Sequence, residues 1–135
     1  MTRRRPWLGA LALDGAAVLV FATSGRQSHD GEASVAGILN VAAPFLIGLA
    51  AGTAIVVAAR RSPLSWWGGL GSWTGTLVIG MLLRRLAWDR GTATSFVVVA
   101  AVALAILFFG WRVIWASVGA RRAVRSPGPP TAAES

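Results

Sequence analysis

The sequence predicts an all-α fold, an integral membrane bundle of four transmembrane helices. Three observations predict it. Ala36–Ala59, Ser62–Leu83 and Gly91–Trp111 carry no charged residue, and Pro6–Gly25 carries one, Asp14. Each run is close to the ~20 apolar residues that cross a bilayer as a helix. The composition agrees: 55% of residues are hydrophobic and 13% charged, with a mean hydropathy of +0.62. Little chain is left between the runs, so no loop is long enough to build a soluble core, and one domain is expected.

The spans are placed at roughly 7–23, 36–59, 65–85 and 93–117. Residues 1–6 form a basic cytoplasmic start. Pro6 suits the first turn of the first helix, where its missing N–H is not needed. Ser24–Val35 is a polar loop with Arg26, His29, Asp30 and Glu32. Arg60-Arg61-Ser62-Pro63 joins the second and third helices. Asp89-Arg90-Gly91-Thr92 turns the third into the fourth, with Thr92 or Thr94 as N-cap. Residues 118–135 hold three prolines and small polar residues, which predicts a disordered cytoplasmic tail.

A net charge of +8 would point to nucleic acid in a soluble chain. Here the arginines flank apolar runs, where they set topology and meet anionic lipid headgroups, so no nucleic-acid partner is expected. All thirteen basic residues are Arg. Eight lie on one side: Arg3, Arg4, Arg5, Arg60, Arg61, Arg121, Arg122 and Arg125. Four lie on the other: Arg26, Arg84, Arg85 and Arg90. The positive-inside rule then puts both termini in the cytoplasm of a multi-pass plasma-membrane protein. Arg84 and Arg85 run against that rule and need another reason. The basic start before an apolar run also resembles an export signal, but Asp14 in mid-run argues for a retained span.

Close helix packing in lipid uses small residues and polar links. Gly48 and Gly52 lie on the second helix, and Gly71, Gly75 and Gly80 on the third, with Ser72, Thr74 and Thr76. The third helix is the smallest and most polar, so it is expected at the centre of the bundle. Packing within one chain is favoured over a homodimer face. Pro44 interrupts the second helix one turn after Asn40 and is read as a tolerated kink.

Two polar sets need an explanation. A carboxylate at mid-helix costs ~2.5–3.5 kcal/mol on insertion scales, so Asp14 should face a partner or water. Asp14 stands seven residues, or ~10 Å, above Trp7. Arg112 stands five residues, or ~8 Å, above Ser117 on a helix running the other way. Their heights match, and an intramembrane ion pair of Asp14 with Arg112 is predicted. The second set is an outer polar cluster of Arg26, His29 and Arg84. Salt bridges tying two outer loops are the bland account of it, and an anionic solute site the sharper one.

No cysteine and a single histidine exclude disulfides, thiolate sites and a multi-His metal centre. No metalloprotease, P-loop or dinucleotide motif occurs. No catalytic residue, cofactor or metal is therefore expected. The function read from the residues is a non-catalytic membrane component packing with itself or with a membrane-protein partner. The alternative is a small transporter or channel for an ion or small anionic solute. A membrane enzyme at the outer face is the weakest class.

The ordered motifs are Asp14, Gly25-Arg26 followed by His29, Pro44-Phe45, Gly80-Met-Leu-Leu-Arg84, Gly91-Thr92 with Ser95-Phe96, and Gly110-Trp111-Arg112. Together they resemble a family of small four-span prokaryotic membrane proteins known as domain of unknown function 3054, over roughly residues 10–115. The resemblance implies an integral membrane protein and implies no activity.

Overall fold

A computed structural model describes residues 5–27, 34–87 and 93–125; of Arg26 and Gln27 it describes the backbone alone. Four helices follow in order: α1 (Pro6–Gln27), α2 (Val35–Ala58), α3 (Trp66–Leu86) and α4 (Thr94–Arg125). The chain is an all-α integral membrane bundle. By length and apolarity α1, α2 and α4 each qualify to cross a bilayer. α3 is 21 residues long, which at 1.5 Å per residue is ~32 Å, also enough for a hydrocarbon core of ~30 Å. Its lower hydropathy comes from the glycines and hydroxyls it spends on packing.

Short connections make successive helices antiparallel, and the four close into a ring. α2 packs on α1 and α3, and α4 packs on α1 and α3, while α1 and α3 stand across from one another. The core is Val18 and Phe21 of α1, Phe45 and Leu49 of α2, and Leu104 and Phe108 of α4, with alanines between them. Phe21 meets Phe45 edge-on at 5.6 Å between ring centres. Outside, Leu19, Ile47, Ile55, Val78, Val99 and Ile106 are exposed. Such a surface would aggregate in water, and it is what a lipid-facing surface requires.

α3 does not occupy the centre that its small residues predict. It is one corner of the ring, with Trp66, Trp67, Leu70 and Leu82 turned outward. A ring of four helices puts none of them at the centre, so the small residues serve one pairwise contact instead. That contact is α2 on α3. A Cβ on Gly75 would stand 2.5 Å from Gly52 Cα, and one on Gly48 2.9 Å from Gly80 N. Gly71 lies against Val56, and Gly80 against Phe45. All five packing glycines are therefore used inside the bundle. Between them the Thr53 and Ser72 hydroxyls meet at 3.4 Å, and Thr76 donates to the Ser72 carbonyl.

Ser34 and Ser65 cap α2 and α3, accepting from Gly37 N and Gly68 N. α2 ends in a Schellman motif: Arg61 N donates to Val56 O, and Arg60 N to Val57 O. The residue that must turn left-handed is Arg60, at φ 57°. α2 runs unbroken through Pro44, which is buried.

Three boundaries differ from the sequence expectation. α1 continues past residue 23 to Gln27, with the Thr23 hydroxyl donating back to Leu19 O. Thr94 is the first residue of α4 rather than its cap, and Thr92 lies outside the described residues. The tail expected from residue 118 is helical as far as Arg125. Ala120–Arg125 is rich in strong helix formers, Arg122 and Arg125 in the last turn complement the helix dipole, and no proline occurs between Pro63 and Pro127.

Candidate functional site

At one end of the bundle α1 and α4 face each other across Asp14 and Arg112. Asp14 retains 1% of its exposure and Arg112 4%. A carboxylate this deep needs donors on both oxygens, and it has them. Arg112 Nη1 donates to Asp14 Oδ1 at 2.8 Å, and Nη2 to Oδ2 at 2.9 Å. This is the two-pronged arrangement that gives arginine–carboxylate pairs their directionality. Trp111 Nε1 donates a third hydrogen bond to Oδ1, at 2.8 Å.

Arg112 is equally well held. Its remaining Nη1 hydrogen reaches Phe108 O at 2.7 Å, one turn back on α4. Its remaining Nη2 hydrogen reaches Pro63 O at 2.8 Å, in the connection between α2 and α3. The guanidinium also lies 4.3 Å from the centre of the Trp111 ring, a cation–π contact. The Nε hydrogen alone has no acceptor. Gly69 makes room for the group, since a Cβ there would stand 2.7 Å from Nε. Gly68 lets the Ser62–Pro63 backbone close over α3, where a side chain would collide with it. Ser65 O–H donates to Ser62 O at 2.6 Å and tightens that turn. One guanidinium thus ties α1, α4 and the α2–α3 connection together, beside Gly69 of α3.

The pairing follows from equal depths on antiparallel helices. Three partners had no such signal. Trp111 neighbours Arg112 in sequence, but adjacent helical residues point about 100° apart, and only the length of the indole lets it reach the same carboxylate. The carbonyl of Pro63 has no side-chain signature. Gly69 reads as one more small residue beside Gly68.

Of the outer cluster, only the Arg84 side chain lies among the described residues. His29 lies outside the described residues, as does the side chain of Arg26. Arg84 is half-buried at the end of α3, with its guanidinium 4.4 Å from the centre of the Phe96 ring on α4. That contact, and a favourable place at a helix C-terminus, give Arg84 a structural reason to be there. Trp73 Nε1 donates to Ala101 O at 3.2 Å, and Trp66 stacks on Phe109 at 5.6 Å, so aromatic residues hold α3 to α4 along their length.

No curated protein sequence and no solved structure matches the chain. Residues 11–115, which span the Asp14–Arg112 pair, all of α2 and α3 and most of α1 and α4, match a family model described as "Protein of unknown function (DUF3054)"; the chain belongs to that family.

Proposed function

We propose that this protein is a non-catalytic structural component of a prokaryotic plasma membrane, a bundle closed by the Asp14–Arg112 pair and built to pack with itself or with a membrane-protein partner. The observation that carries the reading is how the pair is engaged, with Arg112 Nε alone left without an acceptor. Both carboxylate oxygens and four guanidinium hydrogens are engaged by the bundle itself. A residue that passes a proton or binds a passing solute must exchange partners, and these groups hold fixed ones. The excess of arginine at the Arg5, Arg60–Arg61 and Arg121–Arg125 end supports a topology with both termini in the cytoplasm, against anionic headgroups.

Purified protein in sealed liposomes tests the reading against the transporter or channel alternative. The expected result is a proton and ion permeability equal to that of empty liposomes. A leak that disappears in Asp14→Asn would overturn the structural reading and make the pair part of a path.

A further inference from the structure

A groove of about 490 Å³ runs along the outer side of α2 and α3. Its size falls in the ~300–1,000 Å³ range of small-ligand pockets. Ile55, Leu70 and Val78 wall it, and its floor is the close α2–α3 contact at Gly52, Gly71 and Gly75. Trp67 lines its end nearest the α2–α3 connection and is 72% exposed, the placement of an interfacial tryptophan. One turn beyond Val56 are Arg60 and Arg61, both exposed. Asp14 is the only carboxylate among the described residues, and Arg112 occupies both its oxygens.

We propose that this groove holds one anionic glycerophospholipid, with an acyl chain along α2–α3 and its phosphate on Arg60 and Arg61. Charge complementarity selects the occupant. The groove itself is lined by apolar residues and Thr74, and the turn that follows Val56 and precedes Trp67 carries two exposed arginines, the side chains best suited to grip phosphate with two prongs. A second helix is disfavoured as occupant. The glycines that would admit one are already in backbone contact between α2 and α3, and the walls are large apolar residues. Arg60 holds a left-handed conformation that glycine adopts without strain and an L-residue adopts at a cost. The inference goes beyond the structural role and would stand equally if the bundle conducted.

Native mass spectrometry of the full chain, released from vesicles of mixed phosphatidylglycerol and phosphatidylcholine, tests it. One phosphatidylglycerol per chain is expected to survive release. Arg60→Gln with Arg61→Gln should lower its retention about tenfold or more, the loss of charge-assisted contacts to phosphate. Thr74→Phe, which fills the groove from an exposed position, should do the same with both arginines intact. Arg121→Gln with Arg122→Gln should leave retention unchanged. Arg60→Gly separates turn from ligand: it should raise the melting temperature and still weaken retention. The proposal is overturned if phosphatidylcholine is held as well as phosphatidylglycerol, if either groove variant keeps its lipid, or if Thr74→Phe dissociates a dimer instead of releasing a lipid.

Discussion

Arg112→Leu is expected to destabilise the bundle by about 3–5 kcal/mol, the cost of breaking a buried pair and stranding one charge. The substitution leaves Asp14 with Trp111 Nε1 as its remaining donor and opens the tie to Pro63. Asp14→Asn should be comparably damaging, because it leaves the guanidinium buried without a counter-charge. The double variant should be more stable than the sum of the single losses predicts, with an interaction energy of about 1–3 kcal/mol. Reversible unfolding in mixed micelles, followed by helical circular dichroism, gives all four stabilities. Simple additivity would mean that the contact carries no coupling.

The second large effect is at the α2–α3 contact. Gly75→Ala should cost about 1–3 kcal/mol, as overpacking does. Its new Cβ meets the backbone of Gly52 at 2.5 Å, and backbone can yield only if the helices part. Gly71→Ala meets the tip of Val56 at 2.6 Å, a side chain able to turn aside, so it should cost less. Gly110→Ala has nothing within 4 Å and should gain up to ~1 kcal/mol in helix propensity. The same unfolding measurement ranks the three. Equal effects at Gly75 and Gly110 would remove the close approach as a source of stability.

The parts of this fold that were legible in the sequence are those governed by one-dimensional rules. Apolar run length gives the spans, and the rise per residue gives depth, which was enough to bring Asp14 and Arg112 together from opposite ends of the chain. Small-residue spacing picked out Gly48, Gly52, Gly71, Gly75 and Gly80, but it said nothing about which helix they face. Composition therefore misplaced α3, which turned out to be a corner. The length of α4 was hidden for a related reason. Hydropathy marks where a helix leaves lipid, and helix propensity marks where it stops; in Val118–Arg125 the two separate. The Pro63 carbonyl and the space at Gly69 were invisible because a backbone acceptor and an absent side chain leave no pattern to read. Arg60 was legible as a topogenic charge and not as a left-handed residue, because nothing in the local sequence distinguishes an arginine in that conformation.

The account rests on a carboxylate that is both paired and sealed within the bundle. Labelling of Asp14 by a lipid-soluble carbodiimide, mapped by peptide mass spectrometry, reads both properties at once. Folded wild-type protein should leave Asp14 unlabelled over the time in which denatured protein is fully modified, and Arg112→Leu, in whatever fraction remains folded, should become reactive. Rapid labelling of Asp14 in the folded wild-type protein would contradict the account, since a closed, fully engaged ion pair offers the reagent no free carboxyl.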